Sequence, residues 1–136
     1  MPKREDILIF KKAYDLSLEI FRVTKLFPKS QRFLMANRLE EVTIGILEKI
    51  IQANEIPKKL SILRELSMLL ERLRILIRVS KDLTYISFKK YEELSSNTDE
   101  IFYKALSAVY ENSKAEKILR ANCLLYEIQT PDKFRV

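Results

Sequence analysis

The chain has 136 residues, with 25 Lys and Arg against 19 Asp and Glu for a net charge of +6, one glycine, one cysteine and no histidine. That length suits one domain burying roughly 70% of the surface its unfolded chain would expose, and 47% hydrophobic residues exclude wholesale disorder. Without histidine there is no Ser-His-Asp or Cys-His triad and no imidazole metal ligand, a single glycine excludes a phosphate-cradling glycine loop, and the lone Cys123 excludes an internal disulfide.

The first helical stretch runs over residues 2–27. Ile9, Ala13, Leu16, Ile20, Val23 and Phe27 recur at spacings of 4, 3, 4, 3 and 4, one face of a helix. Phe10, Tyr14 and Phe21 widen that face, and their spacing predicts core rather than base-stacking roles. Pro28 ends the stretch, because the residue before a proline is pushed out of the helical region. Ser30 is the predicted N-cap of a second helix over 31–54. Here Met35, Leu39, Val42, Ile46 and Ile50 repeat, and Gly45 inside the pattern predicts close approach of a neighbouring helix. Pro57 opens a third helix over 57–83, with Leu63, Leu66, Leu70, Leu73 and Ile77 on its buried face and Leu69 and Leu76 alongside. Ser87 is the predicted cap of a fourth helix to residue 111, built on Tyr91, Leu94, Thr98, Ile101, Ala105 and Val109. Its Ser95-Ser96-Asn97-Thr98 run is a poor helix former and allows a kink. Residues 114–128 carry Ile118, Leu125 and Ile128 on one side before Pro131, a fifth helix or an arm.

Four long helices with short connections predict an all-α fold: an antiparallel up-down four-helix bundle over 1–112 with a helical or flexible C-terminal extension over 113–136. No strand-period segment competes.

Charge is uneven along the chain. Residues 1–30 carry seven basic and four acidic side chains, and residues 57–85 carry seven and three, whereas 31–56 and 86–113 are net acidic. On helix three, Arg64, Arg74, Arg78 and Lys81 fall near one face, with Arg72 pointing elsewhere. Arginines three or four apart can track successive phosphates, since each guanidinium offers a bidentate fork. The competing reading pairs Glu71 with Arg74 and leaves Arg78 and Lys81 as a solvated edge. A second basic group, Lys11, Lys12, Arg22, Lys25, Lys29 and Arg32, surrounds the first loop, with Asp15 and Glu19 interleaved. A pI of about 9.4 favours a polyanionic partner.

Adjacent acidic pairs such as Glu40-Glu41 and Glu92-Glu93 point to different sides of a helix. No catalytic residue, metal site or cofactor is therefore expected. Cys123, between Asn122 and Leu124, reads as a buried structural thiol. Ile7-Leu8-Ile9-Phe10 is too short for a signal-peptide core, and charges interrupt every apolar run before 18 residues. A cytoplasmic protein with no membrane association is expected.

The segments Phe27-Pro28-Lys29-Ser30-Gln31-Arg32-Phe33, Leu63-Arg64, Leu70 through Leu83, Ile86 through Glu92 and Asp99-Glu100-Ile101 carry a resemblance. They resemble the accessory variability determinant (Avd) proteins of diversity-generating retroelements. That family groups with four-helix-bundle proteins encoded in 23S rRNA intervening sequences, which the stretch from Phe10 to Leu16 also resembles. The basic pair and Asn-Ile-Ala-Glu-Gly segment of that second branch are replaced here by Leu39-Glu40-Glu41 and Gln52-Ala53-Asn54, which favours the Avd branch. The Gly-Gly-Trp of many Avd relatives is replaced by Leu106-Ser107-Ala108-Val109-Tyr110. Over residues 5–112 the resemblance implies a homopentamer of four-helix bundles with a basic surface. It further implies a non-catalytic role, with a reverse transcriptase, its template RNA and the cDNA as partners. A helical protein-protein interaction module, or an intervening-sequence-type bundle that ignores RNA, is the alternative.

Overall fold

The computed structural model describes residues 4–56 and 60–112. Four helices account for nearly all of them: α1 (Arg4–Thr24), α2 (Met35–Glu55), α3 (Leu60–Asp82) and α4 (Phe88–Asn112). At 1.5 Å per residue they are about 31 to 38 Å long. Short connections reverse the chain each time, and α1 packs on α2 and α4, α2 on α3, and α3 on α4. This is the expected up-down four-helix bundle. The 113–136 extension, with Cys123 and the fifth apolar segment, and the start of helix three at Pro57 lie outside the described residues.

The buried face follows the predicted period closely. Leu63, Leu66, Leu70, Leu73 and Ile77 of α3 and Tyr91, Leu94, Thr98, Ile101, Ala105 and Val109 of α4 are all buried. Ser17, Thr43, Ser80 and Thr98 enter the core because each hydroxyl donates to the carbonyl four residues earlier, at 2.6 to 2.8 Å. That bond removes the cost of burying an unsatisfied polar group. α4 is one continuous helix through the Ser95–Thr98 stretch, where the Thr98 hydroxyl donates to the Leu94 carbonyl.

Two boundaries differ from expectation: α1 ends at Thr24 instead of residue 27, and α2 begins at Met35 instead of residue 31. Ser30 does not cap α2: it lies within a short 3-10 turn, Lys29–Gln31, in which Gln31 N–H donates to the Pro28 carbonyl at 2.8 Å. Pro28 starts this turn, and the continuing three-residue bonds delay α2 until Met35, whose cap, Leu34, offers no side-chain acceptor. Ser87 does cap α4, its Oγ accepting from the Lys90 N–H at 3.1 Å.

The α3–α4 connection closes by a different device. Tyr85 N–H donates to the Ser80 carbonyl and Thr84 N–H to the Lys81 carbonyl, a paired C-terminal cap that requires a left-handed residue. Thr84 fills that place at φ 62°, a conformation disfavoured for a β-branched side chain. Tyr85 then packs its ring 5.3 Å from that of Phe27, joining the two loops at this end of the bundle. Below them a cavity of about 10 Å³ remains among Phe27, Ile77, Ile86 and Leu94, far smaller than a ligand pocket.

Gly45 faces α3, as predicted, but not tightly. A methyl group there would sit 3.4 Å from Leu69 Cδ1, ordinary van der Waals contact, and Gly45 has no positive φ. Gly45→Ala is therefore expected to raise unfolding free energy by about 1 kcal/mol. Thr84→Gly, which relieves the left-handed position, is expected to gain a similar amount, about 1 kcal/mol. Urea midpoints check both; a lower midpoint in either variant contradicts the corresponding reading.

Candidate nucleic-acid interface

Helix periodicity brings the predicted basic residues of α3 onto one side, but packing treats them very differently. Arg74 is turned into the seam with α4. Its side chain is 11% exposed, pairs with Glu71 at 3.1 Å and with Asp99 of α4 at 2.8 Å, and lies 5.4 Å from the centre of the Phe102 ring. Lys81, 16% exposed, pairs with Asp82 at 3.2 Å and sits over the Tyr91 ring at 4.6 Å. Arg78 is half-buried and reaches Asp82 at 3.4 Å. Only Arg64 of the four stands exposed, and it lies about 15 Å along the helix axis from Arg74. The competing reading of the sequence, a Glu71–Arg74 pair, is the arrangement present. The phosphate-tracking stripe is divided because α4 supplies Asp99, Phe102 and Tyr91, partners from another helix that spacing within α3 does not reveal.

The Lys11–Arg32 group also divides. Lys12 pairs with Glu100 of α4, tying α1 to α4, and Lys11 is exposed about four turns from the loop. Arg22, Lys25, Lys29 and Arg32 are all exposed at the loop end of the bundle. From Ile20 to Leu39 the chain carries five basic residues, these four and Arg38, and no acidic one. Among them stand Leu26, Phe33 and Leu34, with Phe33 84% exposed. At the start of α4, at this same end, Phe88 and Lys89 are exposed as well. The surface combines cations with an accessible aromatic face, suited to phosphates and an unstacked base.

Phe33 joins the site from outside the basic groups. It follows Arg32 and falls outside the Met35, Leu39, Val42 period, so it has no place on the buried face. Tyr14, by contrast, is expected in the core yet is 49% exposed, its ring 6.2 Å from that of Phe10.

The hydrogen bond from Lys81 holds the Asp82 carboxyl below the usual carboxylate range, and the bond from Lys12 does so for Glu100. A lowered carboxyl stabilises the fold at neutral pH and loses that contribution as pH falls through the lowered value. Among the described residues, no group of three acidic or sulfur side chains is placed to hold a metal ion. No helix among them is long and apolar enough to cross a membrane.

The burial of Arg74 makes it a fold residue. Arg74→Gln leaves the Asp99 carboxylate without its 2.8 Å partner in a largely covered seam, so it should cost about 3 kcal/mol. Arg64→Gln, on the exposed face, should change stability by less than about 0.5 kcal/mol. Denaturant unfolding compares them; equal, small losses would place Arg74 on the surface instead.

Comparison with curated proteins gives no match. A protein-family model described as bAvd-like matches residues 7–111, which spans all four helices and both loops at the basic end. The chain belongs to the bAvd-like family.

Proposed function

We propose that this protein is a non-catalytic accessory factor of a diversity-generating retroelement, holding template RNA for the element's reverse transcriptase during mutagenic cDNA synthesis. Family membership supports the accessory role. The observation that carries RNA binding is the acid-free run from Ile20 to Leu39, whose Arg22, Lys25, Lys29 and Arg32 are exposed together at one end of the bundle. Contacts from these side chains go to phosphate and position the RNA without reading its sequence. Phe33 adds a stacking face for an unpaired base, worth about 1 to 3 kcal/mol. Lys11 extends the positive field along the flank, while Lys12, Arg74, Arg78 and Lys81 act chiefly through the packing of α1, α3 and α4.

Self-association belongs to the same reading. The protein forms a homopentamer in the cytoplasm, and exposed Ile44, Ile51, Met68 and Ile75 support burial of further surface between subunits. Repeating one modest basic surface around a ring raises avidity for a long RNA. The reverse transcriptase and cDNA are its remaining partners.

The test is RNA affinity against salt. The wild-type protein should bind structured RNA with a steep salt dependence, because each neutralised phosphate releases a counterion. Lys29→Gln with Arg32→Gln should weaken binding about tenfold and flatten the slope of log K against log salt by about 1.5. Unchanged affinity and slope would exclude this loop end as the RNA surface. Wild-type protein that ignores RNA yet captures the reverse transcriptase would instead make it a protein-interaction module.

A further inference from the structure

Two outward rows of side chains remain outside the core and outside the basic loop end. On α2, Glu41, Ile44, Glu48, Ile51 and Glu55 recur at spacings of 3, 4, 3 and 4, and all five are exposed. On α3, Arg64, Met68, Arg72 and Ile75 recur at 4, 4 and 3, and all four are exposed. At 100° per residue each row occupies about 80° of arc on the side away from the core. Both rows alternate charged and apolar residues, but one is acidic and the other basic. In each, the two apolar side chains are seven residues apart, or about 10.5 Å along the axis.

Among the described residues no ion pair joins the two rows within one chain. The α2–α3 seam uses Gly45 against Leu69 and Lys49 with Glu65, which flank the rows and leave them facing outward. That seam also occupies Glu65, at 2.7 Å from Lys49, while Glu71 is held by Arg74 at 3.1 Å. The acidic residues nearest the α3 row are thus engaged internally, and the row presents positive charge. On α2 the row is interrupted by no basic residue.

The geometry points to a contact between copies of this chain in which the Glu41–Glu55 row of one subunit packs against the Arg64–Ile75 row of the next. This rests on the self-association proposed above and adds which faces meet. Ile44 and Ile51 match Met68 and Ile75 in spacing, so apolar side chains interdigitate while Glu48 faces Arg72. Opposite charges across the contact favour this register and oppose the alternatives. A two-fold contact of α3 on α3 sets arginine against arginine, and one of α2 on α2 sets glutamate against glutamate. The contact joins two different patches, so, made once between neighbours, it leaves each subunit one patch free for another neighbour until the ring closes. Arg72, set apart from the basic stripe by its direction, has its role here.

Charge reversal tests this on the full chain. Light scattering at micromolar concentration and low salt measures the mass of wild type, Glu48→Lys, Arg72→Glu and the double variant, with circular dichroism checking that each keeps its helices. Each single reversal should weaken assembly at least about tenfold, and the double should restore it, because lysine then faces glutamate across every contact. Wild-type oligomers with indifferent single variants, or a double no better than the singles, would overturn this interface while leaving self-association standing. A wild-type monomer would overturn both. If a reversal alters helicity, Glu48→Gln and Arg72→Gln take its place: each should lower the mass, and an unchanged mass overturns the contact.

Discussion

Arg74 in the seam between α3 and α4 is the interaction on which the distribution of function depends. A guanidinium held between Glu71 and Asp99 and against the Phe102 ring ties two helices together by charge and by packing. Its burial is tolerable because both carboxylates and the ring replace the water it loses. With Lys81 similarly placed over Tyr91, basic residues of α3 that the sequence offers to a phosphate backbone become part of the scaffold. What remains accessible is the positive charge at the loop end, where no acidic residue lies between Ile20 and Leu39.

The fold was legible because its cause is periodic. Apolar residues at spacings of three and four leave each helix one face to bury, and four such faces joined by short loops have few other solutions. The Ser87 cap was equally visible, since it needs only a hydroxyl three residues before a donor. The α2 boundary was not. Ser30 has the chemistry of a cap, but Pro28 starts a tighter turn whose bonds precede the helix. Gly45 was read correctly as facing a neighbour and incorrectly as demanding closeness, because the distance to Leu69 is set by both helices together.

The candidate site was half legible for the same reason. Exposure of Lys29 follows from its place at the Pro28 break, which the sequence locates; Lys25 and Arg32, expected at helix ends, stand in the longer connection that the 3-10 turn produces. The fate of Arg74 depends on Asp99 and Phe102, some 25 residues away and on another helix. A pattern within one helix assigns a residue to a side; only the packing of its neighbour decides whether that side meets water. Phe33 is the reverse case, an apolar residue off the buried period whose exposure was implied by the period itself.

The proposed function divides labour among the surfaces: the α3–α4 seam holds Arg74 and Lys81 inside, the outer rows of α2 and α3 are left for other subunits, and the loop end faces the polyanion. Photochemical cross-linking of the wild-type protein to thiouridine-substituted RNA, with the joined peptides identified by mass spectrometry, tests this most directly. Cross-links should fall between Arg22 and Arg38, with Phe33 foremost, and residues 74–81 should carry none. Cross-links concentrated on residues 74–81, with the loop end silent, would contradict it.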